Sequence, residues 1–166
     1  SIFSALSRRR FLQTAALTIA SSFAFAAAGI TAPQAFALGP VLGTVIDYAA
    51  GVPDGSTIKE AGHLGSVRYV SQRRPGAEWM LGKPVTIEET KDQAANGLKV
   101  ASIYQFGKDE TADWKQGAAG AAVHAPQAIQ LHTAAGGPTG RPIYVAIDDN
   151  PSREEYDNQI RPYLKA

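Results

Sequence analysis

Two adjacent carboxyl groups, Asp148 and Asp149, follow an apolar run at residues 142–147 and are the side chains best placed for chemistry. The run has the composition of a buried parallel strand, and loops at the carboxyl ends of parallel strands carry the functional sites of α/β folds. Aspartate is also a common turn and N-cap residue, so one of the pair could cap the next helix. Ser152 is a better-placed cap, because Glu155 completes a capping box with it. We therefore interpret the aspartate pair as the first candidate for a functional site.

A third carboxyl group, Asp47, lies near the end of the first predicted strand at residues 44–48. Side chains alternate along a strand, so Asp148 and Asp149 point to opposite faces, and we expect Asp148 to share the face of Asp47. A second interpretation remains open, in which Asp47 forms an ion pair with Arg68 of the next strand and only neutralises a buried charge.

Strands and helices alternate through the sequence after residue 43. The predicted strands are residues 44–48, 66–71, 98–107 and 142–147, and the predicted helices are residues 57–61, 86–96, 117–135 and 152–163. Ser/Thr-x-x-Glu capping boxes at Thr57, Thr86 and Ser152 mark helix starts. Pro126 should either kink the third helix or mark a restart. The alternation predicts a parallel sheet with right-handed crossovers.

Two architectures contain such units, the doubly wound sheet and the (β/α) barrel of the TIM type. The first strand is followed by Asp47-Tyr48-Ala49-Ala50-Gly51, which lacks the glycine-rich phosphate fingerprint of doubly wound folds. The sequence therefore favours the barrel, of which it supplies about the first four β/α units. A complete barrel has roughly 250 residues. We expect residues 38–166 to be the N-terminal half of a (β/α)8 barrel, so that either more sequence follows or two halves associate.

The N-terminus has the features of an export signal. Ser7-Arg8-Arg9-Arg10-Phe11-Leu12 precedes an alanine-rich apolar run that ends in the small-x-small sequence Ala35-Phe36-Ala37. This order is typical of a twin-arginine signal peptide over residues 1–37. We expect a secreted or cell-envelope protein that meets the twin-arginine translocase during export. Membrane contact is expected only through an uncleaved leader.

Composition excludes several classes of function. Without residues 1–37 the chain has 13 Lys and Arg against 15 Asp and Glu, a net charge of −2, and no basic stripe, so we expect no nucleic-acid partner. The absence of cysteine excludes thiol nucleophiles and zinc-thiolate sites. The three histidines, at 63, 124 and 132, have no metal-site spacing, and no Gly-x-Ser-x-Gly motif occurs. No metal or other cofactor is expected.

Four strand-end motifs together resemble a known family, the twin-arginine-exported, glycoside-hydrolase-like barrels of bacterial cell envelopes, classified as domain of unknown function 1906. The motifs are Val45-Ile46-Asp47-Tyr48, Val67-Arg68-Tyr69-Val70-Ser71 with Arg74-Pro75-Gly76, Tyr104-Gln105-Phe106-Gly107, and Tyr144-Val145-Ala146-Ile147-Asp148-Asp149. The family is related in fold to lysozyme-type muramidase barrels. The resemblance implies a sugar-polymer ligand, with peptidoglycan as the expected cell-wall glycan.

Muramidase barrels carry an Asp at the end of the first strand and an Asp-x-Glu on the fourth. Asp47 matches the first position, whereas Ala146 and Asp148 stand where the pair is expected. Glycoside hydrolysis needs two carboxyl groups, one of them kept protonated. The resemblance makes Asp148 the candidate general acid and Asp47 the candidate nucleophile or stabiliser, and a glycan-binding barrel without activity is the alternative. The candidate ligand contacts are Arg68, Tyr69, Tyr104, Gln105 and Asp149, and Trp79 and Trp114 could also stack on sugar rings.

Overall fold

Four parallel strands form the sheet, in the order in which they occur along the chain. The structure is a computed structural model that describes residues 39–166, so the predicted leader at residues 1–37 lies outside the described residues. The strands are β1 (Ile46–Asp47), β2 (Gly65–Tyr69), β3 (Lys99–Tyr104) and β4 (Ile143–Val145). The prediction of a mixed α/β fold with a parallel sheet is confirmed.

Helices connect the strands and follow the last one. They are α1 (Gly55–Glu60), α2 (Ile87–Ala95), α3 (Gly117–Ala134), α4 (Arg153–Glu155) and α5 (Arg161–Lys165). Two 3-10 turns, Asp109–Thr111 and Asp113–Gln116, precede α3, and a π-helical turn, Tyr156–Ile160, connects α4 to α5. The third helix continues through Pro126 and does not restart there. Within residues 39–166, no helix combines the length and the apolar composition that a membrane span requires.

Side-chain caps start two of the helices as predicted. The Thr86 hydroxyl accepts from the Glu89 N–H at 3.3 Å, and Ser152 and Glu155 cap each other reciprocally. The capping box predicted at Thr57 is wrong, because α1 begins two residues earlier, at Gly55. Its first N–H donates instead to the Asp92 carboxylate of α2 at 2.6 Å. A tertiary contact thus replaces the local cap that the sequence pattern indicated.

Helices α2 and α3 pack on one face of the sheet. Ser66 and Arg68 of β2 donate to Gln93 and Glu89 of α2, and Tyr104 of β3 contacts α3. These strand residues share a face, because Arg68 is paired with Ser102 in the parallel register and side chains alternate. We call the opposite side the open face, and its side chains are Asp47, Val67, Tyr69, Ala101, Ile103 and Tyr144, with Val45 added by alternation along β1. Val45 is 55% exposed there and Tyr144 is 57% exposed.

The last strand is shorter than predicted. It ends at Val145, and the Ala146 N–H makes one further bond to the Tyr104 carbonyl at 3.0 Å. Asp148 and Asp149 therefore lie in the loop beyond the sheet edge. Val145 and Ile147 pack against a buried cluster that contains Trp114, which is only 2% exposed. Trp114 is thus a core residue, whereas Trp79 is 56% exposed in the loop after β2.

Candidate functional site

Asp47 and Tyr69 form the first part of the site, at the carboxyl ends of β1 and β2. The Tyr69 hydroxyl donates to the Asp47 carboxylate at 2.8 Å across the open face. Burial, the hydrogen bond to Asp47 and the charges of Asp47 and Asp148 raise the pKa of Tyr69. The phenol therefore remains protonated and keeps donating to Asp47 at physiological pH.

Asp148 lies on the same side of the sheet as Asp47. Its carboxylate accepts from the Gln105 side-chain amide over a long distance of 3.5 Å, and its charge acts on the Tyr69 phenol. Tyr69 and Gln105 thus contact one acid each, and both acids are solvent-exposed. That Asp47 and Asp148 contact one and the same ligand stays a prediction.

Asp149 takes part in the local turn. Its carboxylate accepts from the N–H of Asn150 at 2.8 Å, and the side chain is exposed. This bond is the turn role that adjacent aspartates commonly have.

Arg68 lies on the helix-facing side of the sheet and is fully buried. Its guanidinium pairs with the Glu89 carboxylate of α2 at 2.5 Å and also donates to the carbonyl groups of Tyr48 and Gly82. The alternative in which Arg68 pairs with Asp47 is therefore wrong. Alternation along β2 turns Arg68 and Tyr69 to opposite faces, and Asp47 is on the face of Tyr69. Arg68 connects the sheet to α2 and does not line the open face.

Tyr48 closes this buried network beside β1. Its hydroxyl donates to Glu89 at 2.6 Å, and the Arg68 guanidinium lies 3.8 Å from its ring centroid. Burial and the hydrogen bond to Glu89 raise the pKa of Tyr48 to about 12. The phenol therefore stays a donor to the carboxylate that also neutralises Arg68.

Tyr104 likewise points away from the open face. It is 1% exposed, and its hydroxyl contacts His124 Nδ1 at 2.7 Å and Gln127 at 3.1 Å, both on α3. Burial and the charge of Asp113 raise its pKa. Tyr104 and its neighbour Gln105 therefore point in opposite directions, and neither Tyr104 nor Arg68 lies on the open face as a ligand contact there would.

Two residues near the site have no counterpart among the sequence-based candidates. Lys83, at the end of the loop after β2, is 3% exposed and donates through Nζ to the Gln105 carbonyl at 2.7 Å. Asp113 is 6% exposed, and its carboxylate accepts the backbone N–H groups of Phe106 and Gly107 at 2.7 Å each. Lys83 lies in a loop and Asp113 in a 3-10 turn, where the periodicity of strands and helices gives no signal.

The chemistry of this edge depends on carboxyl groups. Among residues 39–166 no group of three or more His, Asp or Glu side chains is arranged to hold a metal ion. The site offers two exposed carboxylates, a protonated phenol and an amide at and just beyond the carboxyl ends of the strands. Such a set can donate and accept hydrogen bonds to a hydroxyl-rich ligand and can exchange protons with it.

Comparison with known proteins identifies relatives of this chain. A family model described as "Rv2525c-like, glycoside hydrolase-like domain" matches residues 56–166. A Mycobacterium tuberculosis protein named "Putative peptidoglycan hydrolase Rv2525c" is 58% identical over 125 residues, which are 75% of this chain and 52% of the relative. The chain thus spans about half the length of the curated relative that it matches.

Two solved structures have the same similarity. They are crystal structures of the M. tuberculosis Tat-secreted protein Rv2525c, one in complex with L-tartrate and one with HEPES. Both are 58% identical to this chain and cover 75% of it and 61% of their own length, with TM-scores of 0.74 and 0.73. The resemblance inferred from the strand-end motifs is confirmed, and the chain belongs to the Rv2525c-like family of glycoside hydrolase-like domains.

Proposed function

We propose that this protein is an exported glycoside-hydrolase-like domain that acts on a cell-envelope polysaccharide, with peptidoglycan as its substrate. The observation that supports the proposal is that Tyr69 contacts Asp47 and Gln105 contacts Asp148, at and just beyond the carboxyl ends of the strands. Glycosidic bond cleavage requires two carboxyl groups that flank the scissile bond. The name of the M. tuberculosis relative, a peptidoglycan hydrolase, supports the same substrate.

The architecture we propose is the (β/α)8 barrel of the TIM type, of which residues 38–166 form the N-terminal half. Two features support it over a doubly wound sheet. The strand order is sequential, whereas doubly wound sheets reverse direction at a switch point. In addition, α2 and α3 cover only one face, as the outer helices of a barrel do, and the open face would be the barrel interior.

In the proposed reaction, Asp148 is the general acid that protonates the leaving oxygen, and Asp47 is the nucleophile or the carboxylate that stabilises the positive charge on the sugar. Tyr69 holds Asp47 in place through the 2.8 Å hydrogen bond, and Gln105 orients Asp148. Tyr69 and Gln105 are also the proposed ligand contacts on the open face. The exposed Trp79 supplies an aromatic surface for a sugar ring.

The residues at the end of the fourth strand favour a second function, glycan binding without hydrolysis. Ala146 occupies the position of the first acid of the muramidase pair, and Asp148 is one methylene shorter than the expected glutamate. A domain with this substitution pattern would bind cell-wall glycan without cleaving it. It would then have a structural or regulatory role in the cell wall.

Export by the twin-arginine pathway to the cell envelope is part of the same proposal. The Ser-Arg-Arg-Arg-Phe-Leu sequence of residues 7–12 supports this export route, and the solved relative is described as Tat-secreted. A peptidoglycan ligand is consistent with that location, because peptidoglycan lies outside the cytoplasmic membrane.

The test compares Asp148→Asn, Asp47→Asn and Asp149→Asn in the intact protein, with purified peptidoglycan as substrate. Hydrolysis is followed by release of soluble muropeptides, and binding by sedimentation with the insoluble polymer. We expect Asp148→Asn to abolish release while binding is retained, because the amide keeps the shape and loses the proton. Asp149→Asn is the matched control, because the neighbouring acid makes only a turn hydrogen bond, and it should retain activity.

Binding by the wild type without any release would support the glycan-binding alternative. If the wild type neither bound nor cleaved peptidoglycan, both versions of the function would be wrong.

A further inference from the structure

Lys83 is a buried cation that contacts Tyr69 and Gln105, the neighbours of the two candidate acids, and it takes no part in the proposed reaction. The loop that carries it is held from both sides, because the Lys83 N–H donates to the Met80 carbonyl and the Lys83 carbonyl accepts from Arg73, both at 3.0 Å. Among residues 39–166 the ammonium forms no salt bridge. Burying a charge without a carboxylate partner is costly, so other contacts must compensate for the lost hydration.

Two contacts compensate for it. Lys83 Nζ donates to the backbone carbonyl of Gln105 at 2.7 Å and lies 4.2 Å from the centroid of the Tyr69 ring. The first is a charge-assisted hydrogen bond and the second a cation–π contact. Ser71 Oγ also donates to the Gln105 carbonyl at 2.7 Å. Of these two donors, only Lys83 contacts both this carbonyl and the Tyr69 ring, and it thus links the end of β3 to that ring.

The two residues that Lys83 contacts are also the residues that contact the acids, although Lys83 binds the Gln105 backbone and Asp148 the Gln105 side chain. Tyr69 donates to Asp47 at 2.8 Å, and the Gln105 side chain donates to Asp148 at 3.5 Å. The ammonium is thus connected to each carboxylate through one intervening residue, and because Lys83 is only 3% exposed, a ligand on the open face would not contact it.

We propose that Lys83 is a positioning residue that holds Tyr69 and Gln105 so that Asp47 and Asp148 face the same ligand. The part of this inference that concerns the ligand rests on the proposed function, whereas the part that concerns Tyr69 and Gln105 does not. Lys83 itself makes no contact with the ligand. Its charge keeps the two strand ends in one arrangement.

The charges around the ammonium determine when this restraint operates. Asp47 faces it from β1, Arg68 from β2, Arg74 from its own loop and Asp113 from the turn after β3. Burial and the charge of Arg74 lower the pKa of Lys83 to about 8, against the opposing effect of the aspartates. Above that pH the neutral amine loses its attraction for the aromatic face, so the restraint should weaken.

The first experiment is an NMR titration of the ligand-free intact protein from pH 6.5 to 9.5. We expect the Tyr69 ring signals and the Gln105 side-chain amide signals to shift together, with a midpoint near pH 8. Lys83→Arg keeps the charge and should stay in the low-pH form throughout, whereas Lys83→Met should stay in the high-pH form. Lys115→Met is the matched control, because Lys115 Nζ also lies over an aromatic ring, 5.4 Å from the Trp114 ring centroid. In this variant the Tyr69 and Gln105 signals should shift with pH as they do in the wild type.

Wild-type signals that stay constant over this range would overturn the inference, and this result does not depend on any variant folding. A midpoint that persists in both Lys83 variants would overturn it as well.

The second experiment measures the affinity for a soluble disaccharide-peptide fragment of peptidoglycan at pH 6.5 and 9.5. The wild type should lose about threefold to tenfold in affinity at the higher pH, which corresponds to the net value of one hydrogen bond. Lys83→Arg should lose less than twofold. If the NMR signals shift with pH but the wild-type affinity stays constant, the claim that Lys83 positions the acids for the ligand would be wrong. An NMR shift without fragment binding at either pH would contradict the proposed function and leave the contact between Lys83, Tyr69 and Gln105 standing.

Discussion

The buried pair of Arg68 and Glu89 should dominate the stability of the sheet and helix α2. The Arg68 side chain is fully buried and the Glu89 side chain is 4% exposed, so water cannot replace either partner. Removing one partner of a buried ion pair leaves an uncompensated charge and costs about 3–5 kcal/mol. We therefore expect Glu89→Gln to lower the free energy of unfolding by about 3 kcal/mol or more. For a domain of this size, that change lowers Tm by about 10 °C.

Urea denaturation of the intact protein at constant pH measures the free-energy change. Glu88→Gln is the matched control, because Glu88 is exposed in the same helical turn, and its effect should stay within about 0.5 kcal/mol. Asp47→Asn should cost about 1 kcal/mol, the value of its one exposed hydrogen bond with Tyr69. If Glu89→Gln were neutral and Asp47→Asn cost several kcal/mol, Arg68 would be paired with Asp47 and its placement on the helix-facing side would be wrong.

Three further changes test other parts of the structure. Gly65→Ala should prevent normal pairing of β2 with β3, because a Cβ there would lie 1.8 Å from a backbone carbonyl oxygen, whereas Gly51→Ala meets no atom within 4 Å and should be tolerated in a thermal melt. Asp113→Asn should lower the free energy of unfolding by about 1–3 kcal/mol, since the amide cannot accept both backbone N–H groups, and urea denaturation measures it. Replacing Arg8 and Arg9 together with Lys should retain the protein in the cytoplasm, which cell fractionation detects, and normal secretion would contradict the export assignment.

Periodicity and local motifs were sufficient to predict the elements of this fold. The apolar runs predicted all four strands, and the Thr86 and Ser152 motifs located two helix starts correctly. The error at Thr57 has a physical cause, since the N-terminus of α1 is satisfied by Asp92, which is far away in the sequence. A local pattern contains no information about such a tertiary partner.

The site was predictable only in part. Alternation implies that of two neighbours, such as Arg68 and Tyr69, only one can lie on the open face, but it does not say which one. That choice depends on where the helices pack, and Glu89 on α2 decides it by pairing with Arg68. Lys83 could not be inferred from periodicity, because it lies in an irregular loop and its contacts are to a backbone carbonyl and an aromatic face.

The most direct test of the central claim is a crystal structure of the intact Asp148→Asn variant with a bound peptidoglycan oligosaccharide. We predict that the sugar lies across the open face at the carboxyl ends of the strands. It should contact Asp47, Tyr69 and Gln105, with a glycosidic oxygen next to position 148. An oligosaccharide bound on the helix-facing side, near Arg68 or Tyr104, would contradict the proposed site.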